Sequence, residues 1–92
     1  YEVFDMALIV IKYGKNNVAE TIKFKAARKG DRVVLVQDGI FWALDDIETE
    51  AEVFAVIDDA TARGYSAEEL TVPSITYEGF VEIIEKSEKT IG

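Results

Sequence analysis

The sequence predicts a layered α/β domain built on a mainly parallel sheet of four to five strands. Three observations lead there. Uncharged, β-rich runs recur at Ala7–Ile11, Val33–Val36 and Val53–Ile57, at intervals of about 20 residues. Helix signals fill the gaps between them, which is the alternation of a layered α/β fold. The runs are also apolar throughout instead of alternating with polar residues, as expected of strands covered on both faces.

The elements follow in order. Tyr1 to Asp5 precede Met6, which reads as a natural start. They are expected to be an upstream extension or a cloning remnant, with one domain spanning residues 6–92. Ala7–Ile11 is a central strand, and Lys12 to Asn17 is the turn after it. Asn17 can cap a helix from Val18 to about Arg28, with Glu20 at capping-box spacing and Gly30 closing the end. Ile22, Phe24 and Ala26 also alternate as a strand would, but the length and the cap favour helix. On that helix Val18, Ile22 and Ala26 share the expected inner face and Phe24 points elsewhere.

Asp31 and Arg32 lead into Val33–Val36. Gln37-Asp38-Gly39 then forms a tight turn at the strand end, where Gly39 tolerates unusual backbone angles and Asp38 can cap the next helix. That helix runs from Gly39 to about Asp46, with Ile40, Ala43, Leu44 and Ile47 inside, Phe41 at the flank and Trp42 facing away. Glu48 to Glu52 is a polar connection to the third strand. Asp58 and Asp59 open a short helix over Ala60–Arg63, ended by Gly64. Ser66 and Glu69 stand at capping-box spacing in the next turn. Val72–Ile75 is a short extended piece, placed near an edge because Pro73 cannot donate to a ladder. Thr76 caps a last helix from Tyr77 to about Ser87, with Tyr77, Phe80, Val81 and Ile84 inward, and Lys89–Gly92 can add a terminal strand.

Composition excludes several activities. The 92 residues contain no cysteine and no histidine. Thiol nucleophiles, persulfide carriers, disulfides, the usual zinc ligands and imidazole bases are all absent with them. No apolar run approaches the ~20 residues of a membrane helix, so no membrane partner is expected and the expected location is the cytoplasm. A net charge of −8 argues against direct contact with nucleic acid.

The charge is unevenly placed. Lys12, Lys15, Lys23, Lys25, Arg28, Lys29 and Arg32 lie in one segment, whereas residues 33–62 hold acids and no base. These are either two solvated faces or complementary patches for self-association or a sister subunit. Two further segments have the residues of a binding site. Gly14-Lys15 at a helix start could hold an anion, but it lacks the Walker spacing and reads better as a turn. Asp38 and Asp58 or Asp59 at neighbouring strand ends could hold magnesium, but acids also favour helix starts on dipole grounds. No catalytic, cofactor-binding or metal residue is therefore assigned. An outward Trp42 suits an interface, unless a loop or the C-terminus covers it.

The block Gly30-Asp31 then Val33-Val34-Leu35-Val36-Gln37-Asp38-Gly39-Ile40-Phe41-Trp42-Ala43-Leu44 resembles the DsrH/TusB family. So do Val53-Phe54-Ala55-Val56, Ala62-Arg63-Gly64-Tyr65 and Ile75-Thr76-Tyr77 with Phe80-Val81. The likeness covers nearly all of residues 6–92 and is closest to short, cysteine-free versions. It implies a three-layer, flavodoxin-like domain in a homo-oligomer, a dimer foremost, or with DsrE/DsrF (TusD/TusC)-like sister subunits. In such assemblies the DsrE-type subunit carries the active cysteine and sulfur is relayed as a persulfide, for tRNA 2-thiouridine synthesis or sulfur oxidation. Some family members have a cysteine near the first strand–helix junction. Here that region reads Tyr13-Gly14-Lys15-Asn16-Asn17, so no catalytic residue carries over. The expected function is a non-catalytic interaction subunit, with Phe24, Phe41 and Trp42 as contact residues. The alternative is a stand-alone homodimer that binds a small ligand or anion at the strand C-terminal ends. No cofactor is expected.

Overall fold

The computed structural model describes residues 7–87 and 89–91. The expectations for residues 1–6 and Gly92 lie outside them. Five strands form one sheet in the order β4-β3-β2-β1-β5, and every neighbouring pair is parallel. They are β1 (Ala7–Ile11), β2 (Arg32–Leu35), β3 (Glu52–Val56), β4 (Ser74–Ile75) and β5 (Lys89–Ile91). Helices α1 (Val18–Ala26), α2 (Ile57–Ala62) and α3 (Tyr77–Lys86) and a 3-10 helix (Gln37–Leu44) connect them, with a 3-10 turn at Ala67–Glu69. This is the predicted α/β class, consistent with a flavodoxin-like three-layer fold.

Alternate residues of each central strand enter separate cores. Ile9, Ile11, Val33, Leu35 and Ala55 pack with Phe24 and Ala27 beside α1, Ile40 and Ala43 of the 3-10 helix, and Ala60 of α2. Leu8, Val10, Val34, Val36 and Val56 face the other way, against Ile75 and the half-buried Phe80 and Ile83 of α3. Burial of a Val, Leu or Ile side chain stabilises the fold by about 1.5–3 kcal/mol each, so β1 and β2, buried almost along their whole length, are the centre of the domain. Among the described residues no helix is long and apolar enough to cross a membrane.

Three helix faces differ from expectation. On α1 the inner face is Glu20 and Phe24, followed by Ala27, whereas Val18 and Ile22 face solvent. The 20/24/27 row is as helical as 18/22/26. It goes inward because the Glu20 carboxylate finds backbone donors there, as described below. The helix also stops at Ala26, earlier than Arg28, and Gly30 instead turns the chain with φ +98°.

The second difference is the helix type after β2. A 3-10 helix has three residues per turn, so residues i and i+3 align. Ile40 and Ala43 make the buried row, Phe41 and Leu44 the outer one, and Trp42 stacks below Gly39 against the core. Trp42 is therefore half-buried and packed inward, not facing away. On α3, Phe80 and Ile83 contact the sheet while Tyr77, Val81 and Ile84 are exposed. The apolar stripe is wider than the sheet covers. Smaller shifts follow from hydrogen bonding. β3 ends at Val56 and α2 begins at once with Ile57, so Asp58 and Asp59 lie inside its first turn.

Candidate functional site

All-parallel strands bring their C-terminal ends to one edge of the sheet, where sites of open α/β folds collect. Three segments meet there: the Lys12–Asn17 turn after β1, the Gln37-Asp38-Gly39 turn after β2, and the first turn of α2 after β3.

The first turn is tied from below by Glu20. This side chain is 1% exposed. Its Oε2 accepts the backbone N–H of Lys12 at 2.8 Å and of Tyr13 at 3.0 Å. Its Oε1 pairs with Lys23 Nζ at 2.9 Å, and that ammonium also donates to the Val10 carbonyl at 3.3 Å. Burial by itself would push the carboxyl up. The Lys23 hydrogen bond, the Tyr13 and Lys12 amides and the Lys23 charge together outweigh burial and hold it below the usual carboxylate range. The Asn17 side chain accepts the Glu20 N–H at 3.2 Å, which is half of the expected capping box. The other half is missing because the Glu20 carboxylate serves Lys12 and Tyr13.

The second turn requires its residues individually. A Cβ on Gly39 would lie 2.1 Å from the Ile11 carbonyl oxygen, so only glycine fits against the end of β1. The left-handed backbone falls on Gln37 instead, at φ +51°. Its N–H is held by Asp59 Oδ2 at 2.8 Å. Asp38 does not cap the helix. Its Oδ1 accepts Arg63 Nε and Nη2, both at 3.1 Å, and Arg63 Nη1 donates to the Asp59 carbonyl at 3.2 Å. Asp38 and Asp59 thus meet as expected at one edge, but with a guanidinium and an amide already between them.

The first and second turns are joined through Trp42. Its Nε1 donates to the Tyr13 carbonyl at 2.9 Å, and its ring lies 4.6 Å from that of Phe24, tilted by 49°. Lys15 pairs with Asp45 across the same gap. Phe41, exposed on the outer row, meets Tyr65 edge-on at 6.2 Å. Between them lies an open depression of about 520 Å³, lined by Tyr13–Asn17 and Phe41. A second hollow of about 430 Å³ opens on the α3 side of the same edge, among Lys12, Gln37, Asp59 and Tyr77. Neither holds a thiol or an imidazole, since the chain has none. The groups present can bind, orient and exclude water.

The family model described as DsrH like protein matches residues 14–90. The chain belongs to this DsrH-like family. Two solution NMR structures of protein Tm0979 from Thermotoga maritima are similar to the DsrH-like chain. Each is 48% identical to it, covering 95% of this chain and 100% of its own, with TM-scores of 0.78 and 0.72. One of them presents Tm0979 as a candidate sulfur transferase. No curated protein matches the chain.

Of the contact residues expected from sequence, the DsrH-like chain presents Phe41 on its surface and half-buries Trp42. Phe24 is 4% exposed, so its ring is spent inside the protomer. Gln37, Asp38 and Gly39 do stand together at the strand end. Sequence reasoning missed Glu20 as the anchor of the first turn and Arg63 as the clamp of the second. The acid three residues after Asn17 was visible, but its target, two amides on the preceding strand, depends on how α1 folds back over β1.

Proposed function

We propose that this protein is a non-catalytic interaction subunit of a cytoplasmic sulfur-relay assembly. In that role it docks against DsrE/DsrF-like sister subunits, whose cysteine carries the persulfide, in tRNA 2-thiouridine synthesis or sulfur oxidation. Membership of the DsrH-like family and the likeness to a candidate sulfur transferase support the relay setting. The observation that carries the non-catalytic part is chemical. Persulfide transfer needs a thiolate, and the strand-end site offers only Tyr13, Lys15, two asparagines and Phe41 around its depression. Such a rim, on a turn tied by Glu20 and with an exposed aromatic ring, is suited to shielding a partner's sulfur from water.

The test is to incubate the pure chain with a persulfide donor, alone and with a cysteine-bearing DsrE-like subunit, and to measure intact masses. The expected result is an unmodified chain in both cases, complex formation with the partner, and weaker complex formation for Phe41→Ala. A sulfur adduct on this chain would overturn the reading.

A second reading, small-ligand binding at the strand ends, is favoured by Gln37. A left-handed backbone on a residue with a side chain costs energy and tends to persist where function uses it, and Gln37 borders the hollow with Lys12 and Tyr77. Amide shift perturbation at Gln37 and Lys12 in a screen of small anions checks it.

A further inference from the structure

The end of the sheet opposite the strand-end site carries an apolar groove with charges of its own. β5 is an edge strand paired only with β1, through Ala7–Lys89 to Ile9–Ile91. Residues in register across a sheet share a face, so Lys89 and Ile91 stand with Ala7 and Ile9 on the side that packs against α1. A groove of about 420 Å³ lies there between α1 and β5, walled by Ala7, Ile9, Ile22, Ala26 and Ile91. Ile22 is 60% and Ile91 42% exposed, so the two isoleucines hold apolar surface open to water that a tail could cover.

The charges around this groove are unequal in their commitments. Lys23, Arg28, Lys89 and Asp31 border it. Lys23 is taken by Glu20. Asp31 is buried, and its oxygens accept the backbone N–H of Ala7 at 3.3 Å and of Arg28 at 3.0 Å. Among the described residues no carboxylate pairs with the side chains of Arg28 or Lys89. Acids outnumber bases in the chain by 18 to 10, yet two cations without a carboxylate partner stand at one apolar groove. Apolar walls with a few polar groups at the mouth are the usual make-up of a small-ligand site. A guanidinium fork is matched in shape and charge by a carboxylate.

We infer that the α1/β5 groove binds a short aliphatic monocarboxylate. The tail lies between Ile22 and Ile91, and the carboxylate meets Arg28, with Lys89 adding to the attraction. The walls set the tail length. Ile22 to Ala26 covers about 6 Å of helix and Ala7 to Ile9 about 7 Å of strand, so a tail of about six to eight carbons fills the groove and a longer one runs out into water. This site lies apart from the strand-end turns and needs no partner subunit, so it goes beyond the proposed function.

The test is to titrate hexanoate, octanoate and dodecanoate into the isotope-labelled chain and to follow its amide shifts. Octanoate moves the amides of Ile22, Ala26 and Ile91 and leaves those of Tyr13 and Gln37 in place. Each CH2 between hexanoate and octanoate tightens binding by about two- to fourfold, and dodecanoate gains no more than about twofold over octanoate. Octylammonium, with the same tail and the opposite charge, binds at least about tenfold more weakly. Arg28→Gln weakens octanoate by about tenfold, Arg28→Glu reverses the preference to octylammonium, and Ile22→Glu abolishes octanoate binding. Both side chains are exposed, so each variant keeps the wild-type fold, checked by circular dichroism. Three results overturn the inference: no shift at the groove amides, octylammonium binding as well as octanoate, or affinity that keeps climbing to dodecanoate, the mark of unspecific adsorption. A fourth is loss of capture by a DsrE-like subunit in Ile22→Glu while octanoate moves nothing, which makes the groove a protein interface. Octanoate binding has no bearing on sulfur uptake, which tests the proposed function separately.

Discussion

Glu20 offers the sharpest test of how the strand-end site is held together. Replacing it with alanine leaves the Lys12 and Tyr13 amides without their acceptor and Lys23 without its counter-ion. Removing one partner of a buried pair costs about 3–5 kcal/mol. The Lys23 side chain is 24% exposed, so water screens part of that loss and the lower end, about 3 kcal/mol, is expected. Glu20→Gln keeps one oxygen for the amides and loses only the charge facing Lys23, which costs about 1–2 kcal/mol. The pH dependence gives an independent sign. The folded carboxyl lies below its ordinary value of 4.5, so the unfolded chain takes up the proton first as pH falls. The stability due to Glu20 is therefore complete above the ordinary value and disappears as pH drops through the lower folded one. Urea unfolding of wild type and Glu20→Gln across that range should show a gap at neutral pH that closes in acid. A neutral gap below about 0.5 kcal/mol, or one that does not change with pH, would refute the reasoning.

Three further substitutions probe the neighbouring contacts. Gly39→Ala should cost about 3 kcal/mol or more, because the new methyl meets an Ile11 carbonyl already holding the Val36 N–H at 3.0 Å; urea unfolding measures it. Trp42→Phe keeps the ring against Phe24 but loses the bond to the Tyr13 carbonyl, for about 1 kcal/mol, and hydrogen exchange should rise at the Tyr13–Asn17 turn. Gln37→Gly relieves the left-handed strain and should stabilise the protein by up to about 1 kcal/mol in thermal unfolding, net of the entropy glycine adds to the unfolded chain. If Gln37 also binds a ligand, the same variant loses the amide shifts of that ligand.

The strands were legible because burial on both faces leaves a plain mark, an uncharged run, and β1 occupies the expected residues Ala7–Ile11. Caps satisfied within one turn were legible: Thr76 accepts the Gly79 N–H at 3.0 Å, and Ser66 and Glu69 form their capping box, whereas Asp38 and the Glu20 carboxylate leave their expected capping roles for partners distant in sequence. Helix faces were not. Hydrophobicity alone puts Ile22 inside and Glu20 outside α1, but a buried carboxylate with two amides and an ammonium is fully satisfied, and only the fold shows those donors. Trp42 was misplaced by a different route. A period of 3.6 turns it outward, and the tighter period of a 3-10 helix turns it in. The close approach of Gly39 to Ile11 is likewise a contact between segments that no local pattern reports.

The misplaced faces also explain why the charge segregation visible in the sequence acquires meaning only in the structure. The basic segment does not form one patch. Lys23 turns in to Glu20, Lys15 to Asp45 and Arg32 to Glu52, Lys12 lines the strand-end hollow, and Arg28 stands at the α1/β5 groove, beside Lys89 from the far end of the chain. That groove sits at the start of β1, beside Ala7, whereas the Tyr13–Trp42 contact sits past its end. Five residues at about 3.3 Å each put roughly 16 Å between them. A substitution at that groove, such as Ile22→Glu, should therefore leave the Trp42 emission maximum unchanged. A shifted emission in that variant would mean that the two ends of the sheet are coupled.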